Sequence, residues 1–290
     1  MQSGPTLTIG LPVFNGAPFL EATIRSVLAQ SFSDFELVIS DNASTDDTEP
    51  IARAAAARDD RVTYRRNPTN LGLARNLNLL VPLARGRLFK WAAADDLLLP
   101  AYLERCVAAL DGDPGAVLAY PQTEFVDATG TRLDVDDPGW HLVAADPAAR
   151  LRYVIGADQY VNSILGVIRT DALRSTRLHA PYAGGDYRLL GELALLGTFV
   201  EVPELLYVRR IHAGSTKGNA ADARWLRRYI SGSSRHASAP YWRLCADHAQ
   251  TIACASLPIG SRAALLGSLA RTMVSRRGRL VGELADLIRR

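Results

Sequence analysis

The sequence lacks several features that would each have pointed to a particular class of protein. No apolar run in its 290 residues approaches the 18 residues of a membrane-spanning helix, which argues against an integral membrane protein. The three cysteines, Cys106, Cys245 and Cys254, have no paired or metal-like spacing, so neither a disulfide framework nor a zinc site is expected. This cysteine usage favours a reducing compartment, and we expect a cytoplasmic protein.

Three common ligand-binding motifs are also missing. No G-x-G-x-x-G follows an early strand, which argues against a dinucleotide-binding domain, and no G-K-[ST] phosphate loop occurs. The run D-N-A-S-T-D that begins at Asp41 is not an EF-hand loop. Its sixth position is Asp46 instead of glycine, and its twelfth is Ala52 instead of glutamate.

Acidic residues are scarce towards the C-terminus. Of the 33 Lys and Arg and the 30 Asp and Glu in the chain, 12 and 4 respectively lie from Asp222 onward. This basic C-terminal segment could contact anionic lipid at the inner face of the membrane, pair two subunits, or simply be solvated. We expect no nucleic-acid partner.

What the sequence does contain is an alternation of strand and helix patterns. Short apolar runs at residues 7–12, 35–40, 62–66 and 88–92 alternate with segments whose apolar residues recur at helical spacing. This order predicts an α/β fold: a Rossmann-related, mostly parallel central sheet flanked by helices. Weaker strand patterns follow at 116–120, 123–126, 164–168 and 199–202. A helical pattern extends from 222 and breaks at 258–260. We divide the chain into three parts: residues 1–112, 113–216 and 217–290.

Two adjacent carboxylates, Asp95 and Asp96, follow the fourth predicted strand. Near a strand end and among apolar neighbours they would repel each other unless a cation lay between them. Mg²⁺ or Mn²⁺ suits such a site, because these ions accept few protein oxygens and bind substrate phosphates. The alternative is an acidic helix N-terminus before Pro100.

Other candidates carry similar alternatives. Asp41, at the end of the second strand, could accept the ring N–H of uracil or thymine, or stand in a turn. Arg75 could reach a nucleotide or form a surface ion pair. Asp186 follows two glycines and could act as a general base or cap a helix. Arg209, Arg210 and His212 suit a diphosphate or a solvated loop.

Taken together and in order, these segments resemble the inverting family 2 glycosyltransferases. The resemblance covers about residues 8–216. The segments that carry it are L-P-V-F-N (11–15), S-D-N-A-S-T-D (40–46), N-L-G-L-A-R-N (70–76), A-A-D-D (93–96), G-G-D-Y (184–187) and Y-V-R-R-I-H-A-G-S (207–215).

The resemblance implies a GT-A fold, a nucleotide-sugar donor, a hydroxyl acceptor and a bound Mn²⁺ or Mg²⁺. Residues 1–112 would bind the donor and residues 113–216 the acceptor. Asp186 would be the catalytic base. The nucleotide-sugar contacts would be Pro12, Phe14, Asn15, Asp41, Arg75, Asp95, Asp96, Arg210 and His212. The metal ligands would be Asp95, Asp96 and His212.

Two positions depart from the pattern of that family. Ala93 stands where the first Asp of D-x-D is usual, and Gly185 stands where a Glu usually precedes the base. They leave a non-catalytic nucleotide-sugar-binding protein as an alternative. A sugar nucleotidyltransferase, which shares a related α/β core and acidic metal residues, is another. Among donors, UDP or dTDP sugars are favoured over GDP sugars, because one Asp serves either pyrimidine.

Overall fold

The computed structural model of the chain describes residues 4–135, 139–140, 142–157, 162–215, 218, 222–232 and 239–288. The strands are β1 (Leu7–Val13), β2 (Phe35–Asp41), β3 (Val62–Arg66), β4 (Leu88–Trp91), β5 (Leu97–Leu98), β6 (Ala116–Val126), β7 (Val167–Arg169) and β8 (Thr198–Arg210). The helices are α1 (Ala17–Leu28), α2 (Thr48–Arg58), α3 (Leu73–Leu80), α4 (Tyr102–Gly112), α5 (Pro147–Gly156), α6 (Thr170–Arg174), α7 (Gly185–Leu196), α8 (Ala223–Ser231), α9 (Pro240–Cys254), α10 (Ile259–Ser275) and α11 (Arg277–Ile288).

Within the described residues, the strands form one sheet in the order β3-β2-β1-β4-β7-β6-β8-β5. The first four strands in this order are parallel, as predicted. β7 runs antiparallel to both β4 and β6, and β5 runs antiparallel to β8. The α/β fold class is therefore confirmed, with a sheet that is mixed in direction.

The strands predicted at 116–120, 123–126 and 164–168 differ from the structure. Residues 116–126 form one strand in place of two, with register shifts against β8 on either side of Gln122. The strand tolerates Pro121 because β7 pairs with it only at Leu118 and Ala119, so the missing N–H removes no bond on that side. The strand predicted at 164–168 begins only at Val167, because residues 163–165 form a 3₁₀ turn.

Helices cover both faces of the sheet. Leu7, Ile9 and Leu11 alternate along β1 and pack under α1, α2 and α4. On the other face, Phe89 and Trp91 of β4 pack against α3, α5 and α7. Because β1 and β4 are parallel neighbours, the loops that follow them open at the same edge of the sheet.

The basic C-terminal segment packs onto this body. α9 lies against α7 and α10 against α5, and a third apolar cluster joins Leu151 and Ile155 of α5 to Ile252, Leu265 and Leu280. The interruption between α9 and α10 spans residues 255–258, so the break predicted at 258–260 overlaps the start of α10. None of the helices in the described ranges is both long enough and apolar enough to cross a bilayer.

Candidate active site

A cleft of about 780 Å³ opens at the edge of the sheet where β1 and β4 end. Its volume lies within the range of small-molecule sites, roughly 300–1,000 Å³. Eight of the ten predicted site residues line it: Pro12, Phe14, Asn15, Asp95, Asp96, Asp186, Arg210 and His212. Residues up to 200 positions apart in the sequence therefore meet in one place, at the carboxyl ends of parallel strands.

The loop after β1 is held by the segment after β2. Asn15 has φ of 52°, a left-handed conformation that asparagine tolerates, and its side-chain oxygen accepts from Thr45 N at 2.8 Å. Asn15 N donates to Ser44 Oγ at 2.9 Å, and Gly16 N donates to Thr48 Oγ1 at 2.9 Å. The two sequence motifs thus form one interlocked scaffold that positions Pro12 and Phe14 on the cleft wall.

Asp95 and His212 form a pair at the cleft. His212 Nε2 lies 2.9 Å from Asp95 Oδ2, and both side chains remain partly exposed. Gly214 N donates to His212 Nδ1 at 3.1 Å, so the hydrogen-bond pattern assigns the ring proton to Nε2. The second oxygen of Asp95 has no hydrogen-bond partner among the residues that the structure describes. It is available to a ligand.

Asp96 has a different environment from its neighbour. It is buried, Tyr207 OH donates to its Oδ2, and Arg210 N donates to its Oδ1 at 2.8 Å. Burial, followed by the charge of Asp95, raises the pKa of Asp96 to about 6. Both of its oxygens are used inside the protein, so it anchors the end of β8 against the loop after β4.

Two groups at the cleft, Asp95 and His212, are of a kind that a divalent cation accepts as ligands. The described residues contain no cluster of three His, Cys, Asp or Glu side chains able to hold a metal. Each oxygen of Asp96 already accepts one hydrogen bond, whereas Asp95 and His212 are partly exposed, and the ligand set of Asp95, Asp96 and His212 stays a prediction. The carboxylate oxygen and the imidazole nitrogen lie 2.9 Å apart, so both could contact one bound ion. Diphosphate oxygens and water would complete such a site.

Two arginines supply positive charge to the same region. Arg210 donates from Nε to the Asp95 carbonyl oxygen at 3.1 Å, and its guanidinium lies 4.8 Å from the centroid of the Phe19 ring. Arg209 also lines the cleft and donates to Asn162 Oδ1. Next to a carboxylate that can hold a cation, these groups suit an anionic diphosphate.

Asp186 lies in the first turn of α7, where Tyr187 N donates to its Oδ1 at 3.1 Å. Burial raises the pKa of Asp186, and the charge of Arg209 opposes that rise. The glycine before it is required by packing, because a Cβ at Gly185 would lie 2.2 Å from the Ala180 carbonyl oxygen. The departure from the family pattern at residue 185 thus has a steric cause that leaves Asp186 at the cleft.

The structure does not bring Asp41 to the cleft. Its side chain is fully buried, and it accepts from Ser44 N at 2.8 Å, Tyr64 OH at 2.7 Å and Arg66 Nη1 at 2.6 Å. Burial alone would raise the pKa of Asp41, but the hydrogen bonds from Ser44, Tyr64 and Arg66 hold it below its ordinary value. The expected base contact is corrected accordingly: Asp41 belongs to the scaffold behind the β1 loop.

Arg75 also lies away from the cleft. It is exposed on α3, and it makes no ion pair or hydrogen bond with any part of the chain that the structure describes. The helix begins at Leu73 after Gly72, and its inward positions are Ala74 and Asn76. Arg75 therefore falls on the outer face, as helical spacing requires.

Sequence reasoning missed several cleft residues. Trp91, His179 and Tyr182 form one wall; His179 packs edge-on against Trp91 at 4.7 Å, and burial lowers its pKa to about 3. Leu226, Tyr229 and Ile230 of α8 and Arg279 of α11 form another. No motif marks these positions. The one usable signal is the aromatic pair Trp225 and Tyr229, four residues apart on one helix face.

Comparison with known proteins now identifies the family. A sequence model described as Glycosyl transferase family 2 matches residues 8–165, more than half of the chain. The match includes Asp95 and Asp96 and ends before Asp186 and His212. The putative glycosyltransferase EpsE of Bacillus subtilis is 38% identical over 112 residues, which cover 38% of this chain and 40% of EpsE. In the first three curated relatives, the matched part spans 16%, 40% and 39% of the relative's length.

Solved structures establish the fold at lower sequence identity. S. aureus TarS in complex with UDP-GlcNAc matches 98% of this chain and 80% of its own chain, with a TM-score of 0.71 and 15% identity. A mannosyltransferase from Pyrobaculum calidifontis, in complex with GDP-Man and Mn²⁺, matches 99% of this chain and 75% of its own, with a TM-score of 0.56 and 18% identity. The chain has the GT-A fold and belongs to glycosyl transferase family 2.

Proposed function

We propose that the cleft transfers a sugar from a nucleoside diphosphate sugar to an acceptor hydroxyl, with inversion at the anomeric carbon. One observation carries this proposal: a carboxylate–imidazole pair, two arginines and a separate carboxylate with a raised pKa line the same cleft. We place donor binding mainly in residues 1–112 and acceptor binding mainly in 113–216.

We assign diphosphate binding to Arg210 and to a cation at Asp95. Arg210 offers donors beside Asp95, and a Mn²⁺ or Mg²⁺ held by Asp95 and His212 would neutralise the leaving diphosphate. To coordinate through Nε2, His212 would shift its proton to Nδ1 and give up the bond from Gly214 N. That bond is exposed, and a hydrogen bond of this kind contributes only about 1 kcal/mol.

The chemical step uses Asp186 as general base. Asp186 accepts the proton of the acceptor hydroxyl as that oxygen bonds to the anomeric carbon and the bond to the diphosphate oxygen breaks. A single displacement of this kind inverts the configuration. The raised pKa of Asp186 brings it closer to working pH, which strengthens it as a base.

We keep UDP or dTDP sugars as the donor class, with a different contact from the one predicted. The carboxylate oxygens of Asp41 already accept hydrogen bonds within the protein. Asn70 borders a small recess beside the cleft, and its side-chain nitrogen has no partner among the described residues. That N–H group can donate to a base carbonyl. The complexes of TarS with UDP-GlcNAc and of the Pyrobaculum enzyme with GDP-Man support a nucleotide-sugar donor without choosing the base.

The test has two stages. A thermal-shift screen of UDP, dTDP and GDP sugars, with and without Mn²⁺, identifies the donor, because a ligand that binds the folded state raises its stability. Asp186→Asn is then expected to lower kcat by about 10²- to 10⁴-fold while donor affinity stays unchanged. The matched control is Asp60→Asn, an exposed carboxylate distant from the cleft, which should be fully active.

Three results would contradict the proposal. Near-normal turnover of Asp186→Asn would remove it as the base. Donor binding without transfer or hydrolysis across many acceptors would favour the non-catalytic alternative, and pyrophosphate release from a nucleoside triphosphate would favour a nucleotidyltransferase.

We also propose that the basic C-terminal segment attaches peripherally to the cytoplasmic face of a membrane. Val281, Leu284 and Ile288 lie on one face of α11 and are 64%, 44% and 86% exposed, with the basic residue Arg277 one turn earlier. In a flotation assay with anionic liposomes, the wild-type protein should float with the liposomes. A variant with Val281→Asp and Leu284→Asp should stay behind. A concentration-dependent dimer mass without liposome binding would instead assign this face to a second copy.

A further inference from the structure

Helix α8 of the basic C-terminal segment forms a wall of the cleft beside the loop after β1. Leu226, Tyr229 and Ile230 line the cleft opposite Pro12 and Phe14. Tyr229 also borders the small recess beside it, together with Pro12, Phe14, Asn42, Asn70 and Leu73. A residue of the C-terminal segment therefore closes a pocket whose other walls come from the ends of β1 and β2 and from the start of α3.

The position of α8 is set by a contact between two glycines. Gly72 has φ of 81° and Gly232 has φ of 69°, both in the left-handed region. A Cβ at Gly72 would lie 2.3 Å from Gly232 N, and a Cβ at Gly232 would lie 2.8 Å from the carbonyl carbon of Leu71. The two backbones therefore touch directly, and neither position has room for a side chain. Backbone contact fixes α8 more narrowly than flexible side chains would.

The face that α8 presents is aromatic and rigid. Trp225 and Tyr229 stack with ring centroids 4.6 Å apart and planes 13° from parallel. Asp222 caps the start of the helix, where its Oδ1 accepts from Trp225 N at 2.9 Å. Tyr229 is thus held by a ring on one side and borders the recess.

We propose that Tyr229 stacks on the base of the donor nucleotide, so that α8 completes the nucleoside part of the site. This inference rests on the proposed function. The recess holds only about 20 Å³, too little for a base, but Pro12, Leu73 and Tyr229 line both it and the adjoining 780 Å³ cleft, and the amides of Asn42 and Asn70 lie beside them. Flat apolar walls with amides at the edge suit a planar heterocycle, because a base gains stacking on its face and hydrogen bonds at its rim. A phosphate would find no cation among these five side chains.

The experiment separates base binding from phosphate binding. Calorimetry in Mn²⁺ measures the affinity of wild type, Tyr229→Ala and Tyr229→Phe for UDP, dTDP and inorganic pyrophosphate. Loss of one stacked base weakens binding by about 5- to 150-fold, so Tyr229→Ala should lose that much affinity for the preferred nucleoside diphosphate. Tyr229→Phe keeps the ring and should stay within about two-fold of wild type. Pyrophosphate affinity should not change in either variant.

A second pair of variants tests the docking of α8. Gly232→Ala forces a side chain against Leu71 and should weaken nucleoside diphosphate binding while leaving pyrophosphate binding intact. Gly282→Ala on α11 is the matched control, because a Cβ there meets no atom within 4 Å. It should bind both ligands as wild type does.

The outcomes distinguish this inference from the proposed function. Wild-type affinity of Tyr229→Ala for the nucleoside diphosphate would overturn the stacking role. Equal loss for the nucleoside diphosphate and pyrophosphate would also overturn it, since it would show general damage to the cleft. If wild type binds pyrophosphate but gains nothing from any nucleoside, the donor assignment itself fails and this inference falls with it.

Discussion

One carboxylate ends β2 and another follows the end of β4, and the structure gives them different environments. Asp41 closes β2 and is saturated by Ser44, Tyr64 and Arg66. Asp95 follows β4, contacts His212, remains partly exposed and keeps one oxygen without a described partner. The strand end brings a carboxylate to the edge of the sheet, but the number of its oxygens already filled decides whether it can meet a ligand.

The neighbouring strands explain the difference. β3 is parallel to β2, and Arg66 lies in register with Asp41, so a cation reaches the same edge as the carboxylate. The outer neighbour of β4 is β7, which is antiparallel, so its carboxyl end lies at the opposite edge. The hydrogen-bond partners of Asp95 among the described residues, Arg210 and His212, come from far along the chain.

The largest expected effect is at Asp95, the carboxylate that follows β4. Asp95→Asn removes the charge that would hold a cation, and loss of one such electrostatic contact typically costs about 10²- to 10³-fold in kcat. Steady-state kinetics at saturating donor should show this, together with loss of Mn²⁺-dependent donor binding. The melting temperature should stay near that of wild type, since Asp95 is partly exposed. If donor binding by Asp95→Asn still depended on Mn²⁺, Asp95 would not be the residue that holds the cation.

At Asp41, whose oxygens already accept hydrogen bonds, we expect a substitution to lower the stability of the fold and not metal binding. Asp41→Asn leaves Arg66 and Tyr64 poorly matched and should lower the free energy of unfolding by about 2 kcal/mol, a value reduced because Arg66 is partly exposed. Urea denaturation at pH 7 measures it. Because the folded-state pKa of Asp41 is lowered, this stabilisation exists above the unfolded pKa and is lost as pH falls through the folded value. An unchanged midpoint would contradict the scaffold role.

Lys90 lies in β4, the strand that precedes Asp95. It is fully buried, and its Nζ donates to Tyr102 OH at 3.0 Å. Burial lowers its pKa to about 7, whereas the unfolded chain holds this proton to about 10.4. The unfolded state therefore binds more protons between these values, and wild type gains stability as pH rises. Relative to Lys90→Met, wild type should gain about 1 to 2 kcal/mol from pH 7 to pH 9.

Denaturant titrations at several pH values check this prediction. The Met variant leaves no orphaned carbonyl, because Tyr102 OH also donates to Leu165 O at 2.8 Å. A difference between the two proteins that stays constant with pH would show that Lys90 keeps its charge inside the fold.

The smallest effect is expected at Arg75. It is exposed and lies outside the cleft, so Arg75→Ala should change stability by less than about 0.5 kcal/mol and leave the donor KM unchanged. Arg210→Ala is the contrasting variant and should raise the donor KM. A large rise in the donor KM of Arg75→Ala would show that Arg75 contacts the nucleotide, as the sequence predicts.

Local pattern predicts the first half of the fold well, because β1 to β4 are short buried runs separated by polar loops. It also selects Asp95, Asp186 and His212, since their motifs occur in a fixed order. It could not distinguish Asp95 from Asp96 or foresee that Asp41 is filled, because those outcomes depend on Tyr207 and on the register of β3. The wall formed by α8 depends on contacts made across 160 residues of chain, which periodicity does not record.

The contact between Gly72 and Gly232 limits how this protein can be re-engineered. A fragment that stops near residue 216 loses one side of the cleft, although the motifs that define the family are all retained. A chimaera that takes its C-terminal helices from a relative needs glycine at both facing positions, or the transplanted helix will stand off from the loop and leave the recess open to water.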